Sequence, residues 1–127
     1  MKQRTITAAD YLRSNVGEHR LQALVLQHLE ANGKPNVYVF AIPNAARRTP
    51  MLAARMKAEG LRAGIADLCI MLPGGRTCWL ELKTLKGVQS DAQRGFAMIC
   101  QTLGHDYAVV RTLGDAIAVL RTWGALK

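Results

Sequence analysis

Two acidic residues and a lysine stand where a hairpin would gather them. Asp67 follows Gly64-Ile65-Ala66, while Glu81 and Lys83 lie two apart in Trp79-Leu80-Glu81-Leu82-Lys83. If residues 67–72 and 77–83 are strands joined by Pro73-Gly74-Gly75, an antiparallel hairpin sets Asp67 beside Glu81. Side chains alternate along a strand, so Trp79, Glu81 and Lys83 share a face and Leu80 and Leu82 take the other. Neighbouring carboxylates repel unless a cation neutralises them, and a hard oxygen cluster suits Mg²⁺ or Mn²⁺. The backbone carbonyl of Leu82 is placed to join them. Such an ion polarises a phosphoryl oxygen and lowers the pKa of a bound water. Lys83 would then position the water or offset charge developing on the phosphate. Taken alone, Glu-x-Lys on a strand is a common surface pair worth about 0–1 kcal/mol. The specificity lies in the conjunction with Asp67, the hairpin spacing and a basic surrounding.

That surrounding is read from the charges. The chain has 127 residues, with 17 Lys plus Arg against 9 Asp plus Glu and a net charge of +8. Eleven of the basic residues are Arg, whose planar fork suits phosphate oxygens. A basic domain of this size often binds a polyanion, although charge alone does not separate DNA from RNA or from an anionic membrane surface. Between residues 47 and 62 stand Arg47, Arg48, Arg55, Lys57 and Arg62 with Glu59 as the lone acid. On charge alone this run is equally a nucleic-acid contact or a solvated face.

The elements that must position these groups follow from pattern and caps. Thr7 and Asp10 frame a capping box for a short helix to about Arg13. Asn15 and Glu18 suggest a second box, followed by an amphipathic helix on Leu21, Leu24, Val25, Leu26 and Leu29 that stops at Asn32-Gly33. Residues 37–42 read as a strand, Pro50 opens a helix to about Glu59, and Ser90 with Gln93 caps a helix whose apolar face carries Phe96, Ile99, Cys100 and Leu103. Residues 107–111 form a last strand, and Thr112 with Asp115 starts a helix burying Ile117, Val119, Leu120 and Trp123. A hairpin implies an antiparallel pair and the strand–helix–strand passage over 83–107 a parallel one. The fold class is therefore α/β, a mixed sheet flanked by helices. The length suits one domain over residues 1–127.

Gly64-Ile-Ala-Asp67, Trp79-Leu-Glu-Leu-Lys83, Lys86-Gly87 and Ser90-Asp-Ala-Gln93 together resemble the VRR-NUC family of the PD-(D/E)xK nuclease superfamily, in particular its stand-alone, phage-type members. The likeness runs from about Glu18 to Trp123. It implies a restriction-endonuclease-like core in which Asp67 and Glu81 ligate the metal, Lys83 is the catalytic lysine and Gln93 supports the site and the attacking water. Glu18, on the first long helix, would complete the metal shell. Asn44, Arg47 and Arg48 would face DNA. The proline of the superfamily name is Ala66 here. As local chemistry, Glu18 and Gln93 are also explained as helix caps, Asn44 as a turn residue, and Lys86-Gly87 as a turn or a close approach to phosphate.

The resemblance implies a Mg²⁺- or Mn²⁺-dependent endonuclease acting on branched DNA, as a Holliday junction resolvase does, and a homodimer. Residues 47–62 and the last helix both offer surfaces for the pair. The rivals are a sequence-specific restriction-type endonuclease and a catalytically silent DNA-binding module; an RNA-binding role is disfavoured by aromatics at only 6% with no stacking stripe. Cys69, Cys78 and Cys100 form no Cys-x-x-Cys pair and read as buried thiols rather than a zinc site. Met51, Met56, Met71 and Met98 read as core or interface filler. With no secretory signal at the start and no apolar run near the roughly 20 residues that span a bilayer, a cytoplasmic protein without membrane contact is expected.

Overall fold

The computed structural model describes residues 7–43 and 49–127. Its elements in chain order are α1 (Ala8–Leu12), α2 (Glu18–Asn32), β1 (Tyr38–Ala41), α3 (Pro50–Ala58), β2 (Leu68–Leu72), β3 (Arg76–Leu82), α4 (Asp91–Leu103), β4 (Asp106–Val110) and α5 (Leu113–Thr122). The four strands form one sheet in the order β1-β2-β3-β4. β2 lies antiparallel to both β1 and β3, and β4 is parallel to β3 after the α4 crossover. The mixed sheet expected from the hairpin and the crossover is the one observed.

The two sheet faces differ because the strand residues alternate. Leu68, Ile70 and Leu72 of β2, Cys78, Leu80 and Leu82 of β3 and Val110 of β4 are buried on one face. Against them pack Leu21, Leu24, Val25 and Leu29 of α2 and Leu113, Ala116, Ile117 and Leu120 of α5. Full burial of each large aliphatic side chain is worth about 1.5–3 kcal/mol, so this layer holds the fold. On the opposite face, among the described residues, α4 covers the β3–β4 half of the sheet. Phe96 meets Trp79 edge to face at 5.3 Å and Tyr107 at 6.0 Å between ring centroids.

Local chemistry sets the helix ends. The Thr7–Asp10 and Ser90–Gln93 capping boxes are both formed, and Thr112 accepts the Asp115 N–H. Gly104 ends α4 in the left-handed conformation at φ 82°, which a side chain would oppose. The box expected from Asn15 and Glu18 does not form. Gly17 is the N-cap, its carbonyl accepting the Leu21 N–H at 2.9 Å, so Glu18 is the first helical residue and its side chain makes no cap bond.

Three packing expectations also change. Of the apolar stripe on α4 only Cys100 is buried, Phe96 is half-buried, and Ile99 and Leu103 are exposed, because the β1–β2 half of that sheet face lacks a covering helix among the described residues. Val119 is only partly buried, whereas Trp123 is buried as expected. Met51, Met71 and Met98 are exposed, so they do not fill the core. The three cysteines are buried free thiols, and burial raises the pKa of each, Cys78 to about 12. No helix among the described residues is long and apolar enough to cross a membrane.

Candidate active site

The hairpin register decides where the acids meet. Leu68 pairs with Leu80, so Asp67, one residue before β2, lies level with Glu81. Its carboxylate Oδ2 accepts the Leu82 N–H at 2.7 Å, while its backbone carbonyl accepts the Ile42 N–H at 2.9 Å. Asp67 is thereby fixed between β1 and β3. On its other side β3 continues against β4, where the Lys83 N–H donates to the Val110 carbonyl at 3.0 Å. Peptide groups alternate between the two edges of a strand, so the Leu82 N–H and C=O both face the Asp67 side.

Gly64 allows this approach. The loop before β2 runs against the start of α4, and a Cβ on Gly64 would overlap the Ala92 carbonyl and lie 2.7 Å from the Gln93 nitrogen. Gly64 also adopts φ 83°, a region that side chains disfavour.

Glu81 is the singular group of the site. It is 1% exposed, and its Oε1 accepts a hydrogen bond from Gln93 Nε2 at 3.1 Å. Its Oε2 is buried, and no N–H or O–H among the described residues donates to it. Buried polar atoms are rarely left so, since the cost is about 1–3 kcal/mol. Burial pushes the Glu81 carboxyl up to about 8, helped by the hydrogen bond and charge of Asp67 and by Glu18, and opposed by Lys83.

Gln93 closes the cap of α4 and also reaches Glu81. Its backbone N–H and side-chain oxygen close the capping box with Ser90 at 3.1 Å and 2.8 Å, and its amide nitrogen is left to hold Glu81. Lys83 is mostly buried, its Nζ lying 3.8 Å from Glu18 Oε1. Starting α2 at Gly17 is what puts the Glu18 side chain there rather than on a cap. Asp67, Glu81, Lys83, Gln93 and Glu18 are thus brought together at one end of the sheet, with Glu18 on the lysine. Among the described residues no three His, Cys, Asp or Glu side chains cluster as a ready-made metal cage.

The expected DNA-contacting residues are more dispersed. Arg55 and Arg62 are exposed, Arg55 paired with Glu59 at 3.3 Å. Lys86 is exposed on the loop after Lys83. Asn44, Arg47 and Arg48 lie outside the described residues.

Three residues that the sequence did not single out build the walls. Arg111 Nη1 donates to the carbonyls of Thr84 at 2.8 Å and Gly87 at 2.6 Å, clamping the loop that follows Lys83. Its signal was positional, since in the parallel register the residue after Val110 lies beside the one after Leu82. Gln89 Nε2 donates to the Tyr107 hydroxyl at 2.9 Å, tying the end of the same loop to β4. Burial, followed by the Glu81 charge, raises the pKa of that hydroxyl well above its usual value.

With this geometry in place, comparison with solved structures identifies the architecture. The chain superimposes on one described as a VRR_NUC domain protein with a TM-score of 0.72 and 19% identity, over 87% of this chain and 89% of that one. A second, described as a VRR_NUC domain, gives a TM-score of 0.60 and 20% identity over 84% of this chain and 96% of the other. No family model and no curated protein matches the sequence. The chain has a VRR-NUC-like fold, the α/β architecture expected from its motifs.

Proposed function

We propose that this protein, acting as a homodimer, is a metal-dependent endonuclease that hydrolyses phosphodiester bonds in branched DNA. The observation that carries the reading is the Glu81 carboxylate. It is buried beside Asp67 and held by Gln93 through one oxygen, while no described N–H or O–H donates to the other, an arrangement that a packing role does not explain. The donor set fits a hard divalent cation. Asp67, Glu81 and the Leu82 carbonyl are all oxygen ligands, and the Glu81 oxygen that no donor reaches supplies a place for an ion. Mg²⁺ or Mn²⁺ held there would polarise a phosphoryl oxygen and acidify a bound water.

The chain's own groups do the rest. Gln93 fixes the rotamer of Glu81 by one hydrogen bond. Lys83 presents its ammonium at the carboxylate end of the site, where it offsets charge on a phosphate, and Glu18 holds that ammonium in place. Arg111 and Gln89 brace the loop over residues 84–89, which carries Lys86. Arg55 and Arg62 add positive potential for the DNA backbone. The VRR_NUC relatives in fold support the reading. A chain this small with short loops suits recognition of duplex shape over base sequence.

The test is a substrate panel: labelled four-way junction, flap and linear duplex, each with Mg²⁺ and with chelator. The expected result is cleavage of branched DNA at least 10-fold faster than linear duplex, abolished by chelator. Cleavage of linear duplex at one fixed sequence would establish the restriction-type alternative, and binding without cleavage the silent module.

A further inference from the structure

Arg111 holds its loop with a single nitrogen. Besides the carbonyls of Thr84 and Gly87, its Nη1 reaches that of Leu85 at 3.4 Å. A guanidinium carries five N–H groups, and the three on Nε and Nη2 make no hydrogen bond to a described residue. The charge is unanswered as well. Asp115 accepts the Arg111 backbone N–H at 3.2 Å, but the ion pairs among the described residues leave the Arg111 side chain out. Every other described arginine is exposed to water, whereas Arg111 is half-buried. Carbonyl oxygens solvate a cation without cancelling its charge, and a charge drawn out of water is ordinarily paired. A loop clamp alone needs only the neutral donors of one amide.

The place of Arg111 in the fold says what would pair with it. In the β3–β4 register it stands level with Lys83. Both side chains flank Gly87, whose carbonyl accepts the Arg111 Nη1 and on which a Cβ would lie 3.4 Å from Lys83 Cδ. Lys86 is exposed on the same loop. Glu18 answers Lys83 at 3.8 Å, and no described carboxylate answers Arg111. We infer that Arg111 binds a backbone phosphate of the DNA, next to the phosphate being cleaved, through Nε and Nη2. Those two nitrogens form one edge of the guanidinium, and their parallel N–H bonds match two oxygens of a phosphate. Nη1 meanwhile keeps the loop that carries Lys86 in place, so one side chain joins the substrate to the brace of the site. The inference deepens the proposed function and rests on it for DNA as the ligand.

The experiment is fluorescence anisotropy of a labelled four-way junction in chelator, titrated over about 50–300 mM NaCl, a range in which phosphate contacts show in the salt slope. Arg111→Gln keeps an N–H for the loop and removes the charge; Arg111→Lys keeps the charge and removes the fork. Arg111→Gln is expected to bind at least 10-fold more weakly, with the slope of log affinity on log salt reduced by about one, as for one lost phosphate contact. Arg111→Lys should keep the slope and lose about 3-fold, and Arg121→Gln, an exposed arginine on α5, should match wild type. Methylphosphonates placed singly along the strand locate the contact. One position should weaken wild type about 10-fold and Arg111→Gln less than about 2-fold. If circular dichroism shows Arg111→Gln unfolded, Arg111→Lys takes its place in that comparison and should lose less than wild type there. An unchanged slope in Arg111→Gln, an equal drop in Arg121→Gln, or the same loss in wild type and variant at every methylphosphonate overturns the inference. Binding is read without divalent metal. A wild type that binds in this way yet cleaves nothing with Mg²⁺ counts against the hydrolase alone. Cleavage by wild type with an unchanged slope in Arg111→Gln counts against this contact alone, and a wild type that binds no DNA counts against both.

Discussion

At the scale of single residues the account turns on Glu81. A carboxyl whose folded pKa lies above its unfolded value is stabilised in its protonated form. Metal-free protein therefore loses stability as pH rises from about 4.5, the ordinary value, through about 8. Glu81→Gln removes that ionisation while keeping the shape and the reach to Gln93. In chelator, scanning calorimetry should show the variant more stable than wild type at pH 9 by about 2 kcal/mol or more, since a tenfold change in proton affinity is worth about 1.4 kcal/mol. At pH 5 the two should differ by less than about 1 kcal/mol. An equal difference at both pH values would mean that Glu81 is not held protonated. Asp67, Glu81 and Lys83 were legible as a group because a tight hairpin fixes register from sequence alone. Arg111 and the Gln89–Tyr107 pair were not, because their partners lie across a crossover whose closure depends on how α4 packs.

At the scale of elements, the site is a junction between the β2–β3 hairpin and the N-terminus of α4, and Gly64 sets how closely they meet. Gly64→Ala should push the loop off Ala92 and move Asp67 relative to Glu81. We expect a loss of about 1–3 kcal/mol in stability, from the left-handed backbone and the overlap together. Divalent-ion affinity, read by titration calorimetry, should fall at least 10-fold. Unchanged affinity would show that the close approach does not shape the site. The order and type of the elements were readable from caps and periodicity. Two local signals were outcompeted: Asn15 lost the cap to Gly17, which freed Glu18 to meet Lys83, and the apolar stripe of α4 gained too little sheet to cover it. Both failures belong to tertiary packing, which overrides local preference wherever a helix reaches only half a sheet.

At the scale of the whole molecule, a buried aliphatic layer between the sheet and α2 and α5 leaves the opposite side free for function. One end of that side carries the carboxylates, and exposed apolar side chains such as Tyr38, Met71 and Leu103 lie away from them. The division lets a chain of 127 residues carry a polar site at one end of the sheet without compromising its core. Fold class was visible in the sequence because the βαβ passage and the hairpin leave few topologies open. The exposure of Ile99 and Leu103 was not, since an exposed apolar stripe has the same spacing as one destined for the core. The most direct test of the hydrolase is Asp67→Ala, assayed on a labelled four-way junction with Mg²⁺ for both cleavage and binding. The account predicts cleavage reduced at least 1,000-fold, about 4 kcal/mol in barrier, with junction affinity within about 3-fold of wild type. Cleavage at the wild-type rate would place the chemistry elsewhere and contradict it.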